Sequence, residues 1–155
     1  MPTLADRLAT RGLSLPTPPR PGGSYERVVV DGALAYVSGQ IALRDGALMA
    51  TGIVGDSVDV ETGRESARVC ALNALAALAS ALDDRELTRV ARVLKVTVFV
   101  ASAPGFDQQP AIANAASELF VTAFGNAGRH ARSAVGVSAL PRGTPVELDA
   151  IVRLR

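Results

Sequence analysis

The sequence predicts an α+β domain in which a mixed or mainly antiparallel sheet carries two helices on one face, in the order β-β-β-α-β-α-β-β. Three observations carry this prediction. Two segments repeat apolar residues at helical spacing, several short runs alternate apolar and polar residues or are rich in β-branched ones, and the pairs Asp31-Gly32 and Asp45-Gly46 divide the early runs as turns.

Leu4 and Leu8, with the alanines between them, form a short amphipathic helix. The following "LPTPPRPGGS" is excluded from regular structure, because proline removes donors and glycine loosens the backbone. Residues 1–24 are thus an N-terminal arm, and residues 25–155 a single domain. From Tyr25 the pattern becomes extended: "YERVVV" and "ALAYVSGQIAL" flank Asp31-Gly32, and "ALMATGIVG" is expected as a third strand. In "SVDVETGRESARVCALNALAALASALDD", residues Val69, Leu72, Leu75, Ala76 and Ala79 mark a helix whose alanine and leucine content favours that state. Cys70 within it reads as a small buried hydrophobe.

"RVLKVTVFVAS" is a strand expected to place Leu94, Val96, Val98 and Val100 on one face. After the loop "APGFDQQP", the segment "AIANAASELFVTAFG" forms the second helix and stops at Gly125. The chain closes on two strands, expected to form an antiparallel hairpin around "LPRG". Aligning the apolar face of Ser133, Val135, Val137 and Ala139 with that of Val146, Leu148, Ala150 and Val152 places Arg132, Glu147 and Asp149 on one common face. Two readings of that face stand open. One is a solvated Arg132–Asp149 salt bridge worth about 0 to 1 kcal/mol. The other is a cleft in which the guanidinium fork holds a carboxylate while a nearby acid handles a water, with room left by Ala134 and Gly136.

Composition excludes several function classes. Sixteen basic and fifteen acidic residues leave a net charge of +1, too little to attract a phosphate backbone from a distance, so nucleic acid is disfavoured. One cysteine and one histidine supply neither an internal disulfide nor a metal-ligand set. The N-terminus lacks the unbroken apolar core of a secretory signal, and no apolar run reaches the roughly 18 to 20 residues of a membrane span, so a cytoplasmic location is expected. Helices on one sheet face leave the other open to water or to a partner, and the low charge of the strands points to a partner.

Three stretches, "YVSGQIAL" (36–43), "NAASELFVTAFG" (114–125) and "ARSAVGVSALPRGTPVELDAIVRLR" (131–155), resemble the RidA family, also called YjgF/YER057c/UK114 and, in older naming, endoribonuclease L-PSP. The likeness is to its longer branch, with an N-terminal extension. The resemblance implies a chorismate-mutase-like fold of the bacillus type, assembled as a homotrimer with ligand clefts between subunits. It implies hydrolysis of reactive enamines and imines to 2-oxo acids and ammonium, with no metal or organic cofactor. By the same resemblance Arg132 anchors the substrate carboxylate and Glu147 positions or activates the attacking water. Gly39 and Ala134 offer backbone N–H groups, and Tyr25 and Asn114 line the cleft. Ala134 stands where many members of the short branch have a cysteine. A non-catalytic module that binds a small carboxylate is the alternative function. Read without the resemblance, Gly39 is a bulge, Tyr25 an edge-strand aromatic, Asn114 a helix-surface polar group and His130 a solvated loop residue.

Overall fold

A computed structural model describes residues 1–155. Helix α1 (Leu4–Ala9) is closed by a capping box between Thr3 and Asp6, and Leu4 and Leu8 are both buried in the main core. Strands β1 (Val28–Asp31) and β2 (Leu34–Ile41) form the first hairpin, through a turn in which Gly32 takes a positive φ of 57°. The expected third strand is reduced to a two-residue ribbon, β3 (Leu43–Arg44) with β4 (Ala47–Leu48), outside the main sheet. Its partners lie on either side of Asp45-Gly46, and Gly52 and Gly55, both at positive φ, break any extension beyond Leu48.

Helix α2 (Val60–Leu82) begins at Asp59, whose side chain accepts from the Thr62 N–H, and ends at Asp83 in the left-handed conformation. Residues 69–79 are buried all round, including the predicted Val69, Leu72, Leu75, Ala76 and Ala79. A helix on a one-sided sheet would normally have a wet outer face. Here Leu13 and Leu15 of the arm pack against the core, which accounts for the apolar outer surface of α2.

Strand β5 (Val90–Ala101) is an interior strand of the sheet, and α3 (Gln109–Phe124) follows, stopping at Gly125 with φ 60° as the sequence predicts. A bulge between Val93 and Lys95 changes the facing of β5: Val93, Val96, Val98 and Val100 are buried, and Leu94 is not on that face.

Strands β6 (Ala131–Val137) and β7 (Val146–Leu154) complete a five-stranded sheet in the order β1-β2-β7-β5-β6. The expected terminal hairpin does not form. β5 lies between the two strands, antiparallel to β7 and parallel to β6. The reason is the connection: α3 carries the chain across the sheet so that β6 lands parallel beside β5, which a tight turn could not achieve. Both strands keep the alternation read from the sequence, but β6 pairs with β5 alone and β7 with β5 and β2.

The register overturns the expected common face as well. Arg132 aligns with Val96 and, through it, with buried Ala150, so it belongs to the helix-covered face at the sheet edge. Glu147 aligns with Phe99 and Val135, and Asp149 with Thr97 and Ser133, in rows of the open face. Arg132 and Asp149 therefore cannot form the cross-strand salt bridge. On the open face Val29, Tyr36 and Val135 are exposed. No helix is long and apolar enough to cross a membrane.

Candidate functional site

The six candidate residues separate into two groups. The first is a corner built by β6 and α3. Arg132 leaves the edge strand toward the helix, where its Nη1 donates to Asn114 Oδ1 at 2.8 Å and to Ser117 Oγ at 3.2 Å. Asn114 and Ser117 are three residues apart in α3, the spacing that brings side chains onto one helix face. No carboxylate lies within ion-pair distance of Arg132, so its charge is aligned by neutral oxygens and not cancelled. Ala134, two residues further on, shares this face and packs partly against the core.

The second group surrounds a cavity of about 330 Å³, lined by Tyr25, Gly39 and Glu147 together with the arm from Pro19 to Gly22, and by Arg27 and Arg142. Each wall has a local cause. The register of β2 against β7 shifts between Val37 and Gln40, so Gly39 sits in a bulge. A Cβ added at Gly39 would collide with Glu147 Oε1, which makes glycine the residue that admits the carboxylate. Buried Asn73 of α2 donates to the carbonyls of Ile41 (3.0 Å) and Leu43 (2.9 Å), and buried Thr144 accepts from the Ala42 N–H and donates to the Val146 carbonyl. These bonds tie the end of β2 to the start of β7, beside Glu147. Arg27 Nη1 donates to the carbonyls of Pro18 and Pro19 and holds the arm over the cavity. Tyr25 precedes β1 rather than lying in an edge strand, and its hydroxyl accepts from the Gly22 N–H at 3.1 Å.

Glu147 is half-buried, with no hydrogen-bond donor or ion-pair partner within the chain. Burial raises its pKa above the ordinary value, and the neighbouring charge of Asp149 raises it further. Such a carboxylate is suited to taking and returning a proton. Buried Cys70 points its thiol at the Val146 carbonyl, 3.4 Å away, and burial pushes its pKa up, so it is no nucleophile.

The structure thus joins Arg132 with Asn114, and Glu147 with Gly39 and Tyr25, but places the two groups on opposite faces of one sheet. Two further residues belong to the corner that the sequence does not mark. Ser117 is legible only as a helix position three beyond Asn114. His130 is no solvated loop residue: it is half-buried, hydrogen-bonded at both ring nitrogens and packed edge-on against Phe120.

Comparison with known proteins agrees with this architecture. The family model for endoribonuclease L-PSP matches residues 16–154. The chain is 43% identical over 152 residues to protein TCP17 of Trypanosoma cruzi, covering 97% of this chain and 94% of that one. It is 32% identical over 143 residues to a 2-iminobutanoate/2-iminopropanoate deaminase of Dermatophagoides farinae, covering 92% and 94%. Among solved structures, the protein Atu1372 of unknown function from Agrobacterium tumefaciens superposes with a TM-score of 0.92 at 41% identity, covering 98% of this chain and 92% of that one.

Proposed function

The chain belongs to the endoribonuclease L-PSP family, that is, the RidA family, and from this premise we propose that it hydrolyses small reactive 2-imino acids to 2-oxo acids and ammonium. The observation that carries the reading is the state of Arg132. A guanidinium held by two neutral oxygens keeps its full charge, and its remaining N–H groups are free to take a carboxylate in two charge-assisted hydrogen bonds.

The reaction asks for a fixed substrate and a directed water. With the carboxylate on Arg132, the adjacent C=N carbon lies at a defined reach from the anchor. Glu147 takes a proton from water as the oxygen adds to that carbon of the protonated imine, giving a tetrahedral carbinolamine, and returns it to the amino group, which leaves as ammonia while the C=O forms. The carbinolamine hydroxyl gives up its proton as the C=O forms, and ammonia takes up that proton and departs as ammonium. Protonated imines are already electrophilic, so positioning supplies most of the acceleration.

Within one chain Arg132 and Glu147 face opposite sides of the sheet, so the reading requires a cleft shared between chains. A homotrimer with its clefts between subunits satisfies this: the β6 edge and Arg132 of one chain meet the Tyr25, Gly39 and Glu147 cavity of the next. The free edge of β6 and the exposed Val29, Tyr36 and Val135 of the open face give such an assembly apolar surface to bury. Ribonuclease action, suggested by the older family name, finds little support in a chain with a net charge of +1 and no paired acid and base groups at the Arg132 corner.

The test is to generate an imino acid in the presence of the protein and follow 2-oxo acid release. The expected result is release faster than in buffer, abolished in Arg132→Ala. A non-catalytic carboxylate-binding module would bind 2-oxo acids through Arg132 without accelerating the release.

A further inference from the structure

The hydrogen bonds behind Arg132 can be followed to their end. Ser117 Oγ accepts from Arg132 Nη1 and lies 2.9 Å from His130 Nε2, while His130 Nδ1 lies 2.6 Å from the Gly128 carbonyl oxygen. A carbonyl only accepts, so Nδ1 carries a proton. In the neutral ring Nε2 is then an acceptor, and the proton it takes is that of the Ser117 hydroxyl. That direction turns the serine lone pairs toward the guanidinium. Each link sets the next, from the Gly128 carbonyl to the tautomer, from the tautomer to the hydroxyl, and from the hydroxyl to Arg132.

The far end of this chain of bonds is rigid. Gly128 closes a short 3-10 turn, Gly125–Gly128, packed so tightly on α3 that a Cβ there would collide with the Phe120 carbonyl. Phe120 itself is fully buried and meets the imidazole edge-on, with ring centres 5.6 Å apart and planes at 79°. Burial lowers the His130 pKa, and the cation of Arg132 lowers it further against the opposing pull of the Gly128 carbonyl, so the ring is neutral at pH 7.

We propose that Ser117 and His130 are positioning residues that orient the Arg132 guanidinium toward a ligand carboxylate, the neutral imidazole acting through the serine hydroxyl. This rests on the carboxylate-anchor reading above and extends it to two side chains that touch no ligand. The physical advantage lies in the charge. An aspartate at either position would hold the fork as firmly but would neutralise the cation that the ligand needs. Neutral acceptors fix the direction of the guanidinium and leave its field intact.

The experiment measures pyruvate binding by calorimetry in the full chain and in Ser117→Ala, His130→Leu, His130→Gln and Arg132→Ala. Loss of one orienting hydrogen bond should weaken binding about three- to tenfold in Ser117→Ala and His130→Leu. His130→Gln, whose side-chain oxygen reaches the place of Nε2, should recover most of the affinity. Ser117→Ala keeps the test independent of folding, since alanine favours the helix it enters. The chain has a single histidine, so its ¹⁵N resonances give an unambiguous second readout, and they should report the Nδ1–H tautomer at pH 7. Wild-type affinity in Ser117→Ala and His130→Leu alongside lost affinity in Arg132→Ala, or an Nε2–H tautomer, would overturn the positioning role alone. If the wild type takes no pyruvate, or Arg132→Ala binds as well as the wild type, the anchor reading fails and this role with it.

Discussion

The Arg132 corner and the Glu147 cavity carry opposite charges in opposite conditions. Arg132 is held at 2.8 and 3.2 Å by Asn114 and Ser117, and Ser117 is in turn set by His130 and the Gly128 carbonyl. Glu147 has a shaped space around it, made by the bulge at Gly39 and by the arm, but no group of its own chain hydrogen-bonds to it or stands within ion-pair distance, although Arg27 and Arg142 line the same cavity. One half is organised within a single chain. The other is a half-buried carboxylate whose ionised form is disfavoured by burial and by the charge of Asp149, with no ion-pair partner in its own chain. The contrast indicates which half must be completed from outside, and it can be broken from either end.

The largest effect is expected at the cavity. Glu147→Gln should lower kcat by about 10²- to 10⁴-fold, the usual worth of a placed acid–base group, while 2-oxo acid affinity stays close to wild type. Steady-state kinetics beside calorimetry separate the two. The same variant should be more stable than wild type at neutral pH. The folded-state pKa of Glu147 is raised from 4.5, so its favourable contribution is fully present below that value and is lost as pH rises through the folded-state pKa. Thermal midpoints recorded between pH 4 and 8 should show the two proteins converging in acid and separating above it. A constant difference across that range would contradict the assignment.

A smaller effect is expected at Gly39. Gly39→Ala forces a Cβ against the Glu147 carboxylate, so the acid must swing away from its place in the cavity. Turnover should drop about tenfold or more, with Arg132-dependent pyruvate binding retained, since a displacement of about 1 Å in a catalytic group can cost as much as 10²-fold. Equal losses in turnover and binding would mean that the cavity and the corner are not separable.

The sequence made the helices and the strand faces legible because both depend on local periodicity. α3 stops at Gly125, and α2 buries the alanines and leucines marked for it. Partnership between strands was not legible. The alternation in β6 and β7 is compatible with a hairpin, yet nothing local to either strand records that β5 lies between them. The bulge near Lys95, which exchanges Val93 for Leu94 on the buried face, is equally silent in the pattern. Among the candidate residues, Arg132, Asn114, Glu147, Gly39 and Tyr25 are each marked by a motif, but their division between two faces is not. Ser117 and His130 escaped because their roles come from hydrogen bonds between α3, the turn after it and β6, which no spacing rule describes.

The account stands on the claim that the corner of one chain is completed by the cavity of another. It is tested most directly by mixing two inactive proteins, Arg132→Ala and Glu147→Gln, after joint unfolding and refolding so that their chains assemble at random. A shared cleft predicts that imine hydrolysis returns to about a quarter of the wild-type rate, because that fraction of chain-to-chain contacts brings an intact arginine to an intact glutamate. A mixture no more active than its two components would contradict the claim.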